Sequence, residues 1–382
     1  MKIKVAIIDT LGAHGGSFHF YTFGQSMGLI NEGVTVSLYT NNETSNPKIE
    51  GLKFFSFYNE IFANRSQIKN GLKWILGSIK SILHARFSGI SIFHFHIFYT
   101  NILVFFNLLL VKLLFGKVVL TIHDVTSFSG KDKSNFITNL VYKLTDLVLT
   151  HNEFSKLEIK KVNPNLTPPI HIVPHGNYTP FIKVQSNKTK SRSYLNLPKD
   201  KTILLFFGMI KKVKGLEVLL YSLKKVVANN PDVLLLIAGN PWENDFSIYQ
   251  KIIDQNNLTN HCILHTKFIP YEDVEHYYCA SDLVVLPYKK IYQSGVLMMA
   301  LSYERAALVS DLSPLKEVIT DNENGFLFKS EDAESLANKL NEIMADQALL
   351  ENVRVNGAKL INTKYNWNAI GSLTVNAYKT IY

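Results

Sequence analysis

Short runs of uninterrupted apolar residues recur along the chain, each passing through a polar turn into a stretch of helical periodicity. An apolar run without alternation is what a strand buried on both faces looks like, and strands alternating with helices indicate βαβ units around a parallel sheet. In the first half, Ile3–Ile8, Val34–Tyr39, Lys53–Phe57, Ile92–His96, Lys117–Ile122 and Leu147–Thr150 read as strands, and His171–Gly176 as a short strand and turn. Further on, Thr202–Phe207, a second run ending at Gly239, Leu283–Leu286 and Ala307–Val309 read the same way. Asn324-Gly325, between apolar stretches, is a hairpin turn signal. The segment Lys183–Lys201 is rich in Lys, Ser and Asn and holds the expected linker, with a small helix at Ser191–Leu195. The pattern therefore predicts an α/β chain of two domains, residues 1–182 and 183–364.

Two segments of the first half need separate treatment. Ile97–Phe115 is the most membrane-like stretch, but Asn101, Asn107 and Lys112 interrupt it, and a spanning helix wants about twenty nearly uniform apolar residues. It is read as a helix packed on the sheet. Over residues 64–87, Lys69, Lys73, Lys80 and His84 fall near one helical stripe, with Ile68, Leu72, Ile75, Leu76, Ile79, Leu83 and Phe87 on the adjoining face. Such a basic amphipathic helix suits either a membrane interface or an ordinary surface position with its apolar side on the sheet.

The candidate chemistry sits where strands run out. Thr202–Phe207 leads through Gly208 to Lys211, Lys214 and Gly215, then into an apolar-periodic helix. Gly208 has no side chain to block close approach, and the two lysines stand at a helix mouth, where unpaired N–H groups and the macrodipole favour an anion. A solvated basic loop fits the same residues, so the neighbouring segments decide. After Leu283–Leu286 the chain turns through Gln293, Ser294, Gly295 and Val296 into a helix, which offers backbone amides and a hydroxyl. Open parallel sheets bind ligands at the carboxyl ends of their strands, and the ends at Gly208, Gly239, Pro287 and Ser310 would gather on one such edge. In the first half, Gly12-Ala-His-Gly-Gly-Ser17 follows the first strand without forming the Gly-x-Gly-x-x-Gly fingerprint. His123, followed by Asp124, ends the fifth strand and is placed to touch a ligand. His94 and His96 alternate with Phe93 and Phe95 and so share one face.

The order of these features resembles glycosyltransferase family 4, retaining enzymes of the two-Rossmann-domain (GT-B) fold. Phe207-Gly208-Met209-Ile210-Lys211-Lys212-Val213-Lys214-Gly215 stands in the place of the family's Gly-Arg-Leu-x-x-x-Lys-Gly. Ala280–Pro287 and Ala306–Asp311 fill the places of its two later signature segments. Two departures stand out: Met209 replaces the family's Arg, and the usual pair of glutamates is absent, the second falling on Met299. Gln293-Ser294-Gly295-Val296 resembles a subgroup that reads Gln-Ser-Gly-Val there. The resemblance implies two Rossmann-like domains facing across a cleft, with a C-terminal helix over 365–382 crossing back onto the first. It implies that Gly15 and Gly16 face the donor diphosphate, that His123 contacts the donor sugar, and that Glu317 lies near the donor pocket. Gly208, Gln293, Ser294, Gly295 and Val296 would bind the donor, with Lys211 and Lys214 countering its diphosphate.

Composition narrows the partners. A formal net charge of +9 favours acidic ones: nucleotide sugars, anionic lipid surfaces or nucleic acid. With no zinc-finger spacing and no single-strand-binding aromatic motif, nucleic acid is set aside. Cys262 and Cys279 are the only cysteines, which gives no disulfide framework and suits a reducing cytoplasm. The N-terminal apolar run is too short for a signal peptide. The expected function is sugar transfer, with retention, from a nucleotide-diphosphate sugar to a glycan hydroxyl in bacterial surface polysaccharide assembly. No cofactor or metal is expected, since no Asp-x-Asp motif is present. The acceptor would be carried on a polyprenyl diphosphate, and the protein would be cytoplasmic or peripheral on the inner face of the membrane. The rivals are a nucleotide-sugar 2-epimerase of the same shape and a catalytically silent glycan- or lipid-binding relative.

Overall fold

The computed structural model describes residues 2–14, 16, 18–63, 66–126, 135–182 and 185–382. The chain divides into two compact units, residues 1–176 with 365–382, and residues 177–364.

The first unit is built on strands β1 (Lys4–Asp9), β2 (Thr35–Asn41), β3 (Lys53–Tyr58), β4 (Ile92–Ile97), β5 (Lys117–Ile122), β6 (Leu147–Thr150) and β7 (Ile170–Ile172). Between them run helices α1 (Phe18–Asn31), α2 (Gln67–Phe87), α3 (Ile102–Leu113), α4 (Asn135–Lys143) and α5 (Glu153–Val162). The sheet order is β3-β2-β1-β4-β5-β6-β7. Strands are added outward on one side of β1 and then, from β4, on the other. That reversal is the topological switch point of a doubly wound sheet. Burial on both faces explains the unbroken apolar runs: Ala6, Ile8, Phe93, Phe95, Val118, Leu120 and Val148 form one core. Asn101 and Asn152 start α3 and α5 by accepting the amides of Val104 (2.9 Å) and Ser155 (2.7 Å) on their side chains.

The second unit carries β8 (Thr202–Phe207), β9 (Val233–Ala238), β10 (Cys262–His265), β11 (Leu283–Leu286), β12 (Ala307–Ser310) and β13 (Phe326–Phe328). Its helices are α6 (Lys188–Tyr194), α7 (Leu216–Asn229), α8 (Ser247–Gln255), α9 (Tyr271–Ala280), α10 (Gly295–Ser302), α11 (Ser313–Lys316), α12 (Ala333–Ala345) and α13 (Gln347–Thr363). The order β10-β9-β8-β11-β12-β13 repeats the doubly wound plan, with the switch point between β8 and β11. Leu204, Phe206, Leu219, Leu235, Ile237, Val285 and Leu308 make up the centre of its core. The hairpin expected at Asn324-Gly325 is not formed: that turn feeds β13, which pairs parallel with β12. An Asn-Gly turn here serves entry into a parallel ladder because β13 already has its partner in register.

Helix α14 (Trp367–Lys379) rejoins the first unit and crosses α1. The crossing needs bare backbones, since a Cβ on Gly28 would run into the Trp367 carbonyl and one on Gly371 into the Gly28 carbonyl. Expectation and structure agree on two parallel α/β sheets with a returning C-terminal helix; the sheets have 7 and 6 strands, β10 and β13 being additional to the strands read from the sequence. Among the described residues no helix is long and apolar enough to cross a membrane. The Ile97–Phe115 stretch forms only α3, whose twelve residues span roughly 18 Å.

Candidate functional site

In the second unit, the loops after β8 and β11 flank the switch point. Gly208 ends β8 with φ +100°, a conformation glycine tolerates, and its amide donates to the Ala238 carbonyl at 2.9 Å. The chain then makes a tight turn over Lys212–Lys214 and enters α7 through Gly215 at φ +67°, where a Cβ would meet the Pro287 carbonyl oxygen. The Lys289 amide donates to the Val213 carbonyl at 2.9 Å, so the two loops are joined along their backbones. A side chain joins them too: Lys214 Nζ lies 3.9 Å from the centroid of the Tyr288 ring. Lys211 Nζ instead lies 4.1 Å from the centroid of Trp242, in the loop after β9. An ammonium on an aromatic face is held by about 0.5–2 kcal/mol, less than a charge-assisted contact with an anion supplies. No carboxylate among the described residues pairs with Lys214.

In the loop after β11, Ser294 caps α10, its Oγ accepting the Leu297 amide at 3.1 Å. The first amides of α10, from Gly295 onward, have no partner within the helix and form the positive end of its dipole. Beside them the Gln293 Oε1 is buried without a hydrogen-bond partner, and so is the Tyr288 hydroxyl. Gly295 leaves space toward Tyr178, whose hydroxyl would stand 3.0 Å from a Cβ there. The side chain of Val296 approaches Gly208, at 3.5 Å from a Cβ placed on that glycine. Gly208, Lys214, Ser294, Gly295 and Val296 thus belong to two adjoining loops on one sheet edge. Glu317 is the exposed residue that follows α11. Met299, at the glutamate position of the resembling family, is buried in α10.

In the first unit the carboxyl edge of the sheet is lined with histidines. His96 ends β4, while His123, His151 and His175 follow β5, β6 and β7. His96 Nδ1 lies 3.1 Å from His123 Nε2, and His123 Nδ1 lies 2.9 Å from His151 Nε2. His151 Nδ1 reaches the Val173 carbonyl at 3.0 Å, and His96 Nε2 meets the Gln25 amide group at 3.0 Å. Phe98 stacks on His123 at 4.7 Å, Phe18 meets its ring edge-on at 4.9 Å, and Tyr21 contacts the rings of His96, His123, His151 and His175. Burial pulls His151 down to about 4 and His94 and His175 to about 3; it also holds His96 and His123 well below the usual imidazole range. Both ring nitrogens of His123 are taken, so a sugar contact from its imidazole would require one of these bonds to break. His94 is held between the Tyr378 and Thr121 hydroxyls, each at 2.6 Å.

Next to the switch point between β1 and β4 lies a cavity of about 370 Å³. Phe18, Phe62, Trp74 and Phe98 line it together with Asp9, Gln67 and Asn101. Aromatic faces with amides and a carboxylate suit a ligand that has both hydroxyls and apolar surface. Of the predicted glycines, Gly15 lies outside the described residues, and a Cβ on Gly16 would meet nothing within 4 Å. Gly12 is the constrained one of that loop, at φ +51°, its amide donating to Asp9 Oδ1 at 2.9 Å. Sequence reading did not single out Tyr288, Trp242, Gln25 or His151. Each is an ordinary core or loop residue until distant segments meet.

Residues 187–360, most of the second unit, match the family model described as "Glycosyl transferases group 1". The chain is similar to an uncharacterized glycosyltransferase, MJ1607, of Methanocaldococcus jannaschii, with 25% identity over 50% of this chain and 48% of that protein. It is also similar to the lipopolysaccharide 1,2-N-acetylglucosaminetransferase of Salmonella typhimurium, with 25% identity over 53% of this chain and 54% of the relative. These matches span about half the length of the relatives. Among solved structures, Anabaena Alr3699/HepE in complex with UDP and glucose superposes with a TM-score of 0.76 at 14% identity, over 99% of this chain and 100% of that one. At that identity the likeness is one of fold, and the fold is of the GT-B type.

Proposed function

We propose that this chain is a retaining glycosyltransferase that uses a nucleoside-diphosphate sugar and transfers the sugar to a hydroxyl of a glycan or lipid-linked acceptor in surface polysaccharide assembly. One observation supports the reading. The cationic loop after β8, bearing Lys211 and Lys214, adjoins the loop after β11 that leads into the N-terminus of α10, in the unit that matches group 1 glycosyltransferases. The HepE complex holds UDP and glucose, and the Salmonella relative is named for lipopolysaccharide assembly; both support the donor and pathway class.

The chemical demand is departure of a diphosphate. As the bond from the anomeric carbon to the phosphate oxygen breaks, the acceptor hydroxyl oxygen bonds to that carbon from the same face. Its proton passes to the departing phosphate oxygen. Lys214 leaves the Tyr288 face for the growing charge, and Lys211 supports it. The Ser294 hydroxyl and the amides of Gly295 and Val296 add fixed donors, while Gly208 keeps the approach clear. Donors aimed at charge that grows in the transition state are often the largest catalytic term. No divalent metal is required in this scheme. Gly15 and Gly16 would be donor contacts, Gln293 would bind a donor hydroxyl, and Glu317 would make an outer contact. His123 would orient the reacting sugar.

The acceptor side supports a membrane-proximal reading. On α2 the small residues Gly77, Ser78, Ser81 and Ala85 are buried with Ile82, so Ile68, Leu72 and Leu76 point outward, 76%, 57% and 67% exposed. Ile102 and Leu113 on the adjacent α3 and Phe136 on α4 are exposed as well. None of the three helices contains an acidic residue, while Lys69, Lys73, Lys80, Lys112 and Lys143 lie on them. An apolar face on helices that carry cations and no carboxylate, with only Lys73 and Lys112 paired to acids of other segments among the described residues, matches an anionic bilayer surface. Gln67 and Trp74 of α2 line the 370 Å³ cavity, so a lipid-carried acceptor could enter it from that side.

The test is a panel of nucleotide sugars with and without lipid-linked acceptors, read as nucleoside diphosphate release. Acceptor-dependent release supports transfer. Donor interconversion alone, or inertness with every pair, would overturn it.

A further inference from the structure

The hydrogen bonds at the carboxyl edge of the first sheet run in one direction. The Val173 carbonyl can only accept, so His151 must carry its proton on Nδ1. His151 is buried, and as a neutral ring its Nε2 is then an acceptor, which requires N–H on His123 Nδ1. His123 Nε2 accepts in turn, so His96 donates from Nδ1. His96 Nε2 is left as an acceptor facing Gln25. As placed, Gln25 offers its oxygen there, and its buried NH2 has no partner. Amide oxygen and nitrogen are assigned from the hydrogen-bond network. Turning the amide over gives His96 Nε2 its donor and moves Oε1 into the place vacated by the NH2.

We propose that Gln25, His96, His123, His151 and the Val173 carbonyl form a single directed chain of hydrogen bonds, with all three imidazoles neutral and protonated on Nδ1. This chain is a positioning device that ties α1 to the ends of β4, β5 and β6 and to the segment after β7. Under the glycosyl-transfer reading on which its role rests, it fixes the turn at His123–Asp124 that borders the ligand edge. Its members hold that turn, and through it they set the position from which His123 would orient the reacting sugar. Neutrality follows from the surroundings: the rings are enclosed by Tyr21, Phe18 and Phe98, and further charge on any one would face its imidazole neighbours. Two hydrogen-bonded neutral donors and acceptors in sequence also polarise one another, which makes an interrupted chain costly.

The experiment is nitrogen-15 NMR of histidine-labelled full-length protein, with assignment by single His→Gln variants. The expected result is Nδ1–H with bare Nε2 for His96, His123 and His151, unchanged between pH 6 and pH 8. Nε2–H on any of the three, or a ring that titrates in that range, would overturn the relay. A second variant keeps the claim exposed. Gln25→Glu preserves shape but puts a carboxyl where the chain needs a donor, so the carboxyl and His96 together must hold one extra proton at neutral pH. A neutral His96 beside an ionised carboxylate in Gln25→Glu would count against the directed chain. For the positioning role, Gln25→Leu should lower kcat roughly tenfold with donor KM within about twofold, an effect of lost orientation. Unchanged kcat would remove that role. The spectra decide the relay even if no donor is turned over, so failure of the transfer reading and failure of the relay show up separately.

Discussion

The ammonium of Lys214 rests 3.9 Å above the ring of Tyr288, so the loops that follow β8 and β11 meet through a cation and an aromatic face. Lys214→Ala removes the charge without opening a core, because Lys214 lies in a partly exposed turn. We expect kcat to fall about 100-fold, the scale of losing one donor at a developing anion, with little change in thermal midpoint. Steady-state release of nucleoside diphosphate and a thermal melt check this; equal kcat for both proteins would refute the assignment. EDTA should leave the wild-type rate unchanged.

Gly215 supports the same junction from the backbone. Gly215→Ala combines a left-handed φ of +67° with a Cβ directed at the Pro287 carbonyl oxygen. The expected cost is on the order of 2 kcal/mol. Denaturant melts of the second unit should show it, and a wild-type midpoint would mean the loop yields freely.

The buried histidines make the first unit acid-sensitive. Their folded-state pKa values are depressed below the ordinary imidazole value of about 6.5, so the unfolded chain binds protons first as pH falls. Stability is therefore fully present above about pH 6.5 and declines below it, at roughly 1.4 kcal/mol per histidine by pH 5.5. Asp9 acts in the opposite sense, since burial raises its carboxyl and acidification relieves that cost, but it is one group against five. Trp74 and Trp367 report on the first unit in a Trp242→Phe background. Urea midpoints equal at pH 7.5 and pH 5.5 would contradict the prediction.

The apolar face of α2 gives a binding prediction. Leu72→Glu with Leu76→Glu adds two carboxylates to a face that has none, at positions 57% and 67% exposed, so folding should be spared. Sedimentation with vesicles containing anionic lipid should fall at least about tenfold, given about 1.5–3 kcal/mol per buried leucine. Wild-type binding should weaken with salt. Equal sedimentation of both proteins would show that another surface makes contact.

How much of this was legible in the sequence differs by element. Strands such as Lys117–Ile122 and Leu283–Leu286 were readable to the residue, because burial on both faces writes an unbroken apolar run. Asn324-Gly325 misled because a turn signal carries no information about the partner strand. Gly208 and Gly215 could be found, since positive φ and close approach demand glycine. The aromatic seats of Lys211 and Lys214 could not, as Trp242 and Tyr288 arrive from other loops. The histidine chain was the least visible: its members come from α1 and four strand ends, and alternation on β4 showed only that His94 and His96 share a face. The outward stripe of α2 was ambiguous for a related reason, as periodicity reveals two faces but not which one meets the sheet.

The glycine-mediated crossing of α14 over α1 bears on synthesis at the ribosome. Residues 177–364 form a continuous body and can close as soon as they emerge. The body begun earlier has to wait with α1 uncovered until residues 365–382, with Trp367 and Tyr378, have also emerged. Biogenesis thus runs against the usual order, with the later-made lobe maturing before the one that led it out.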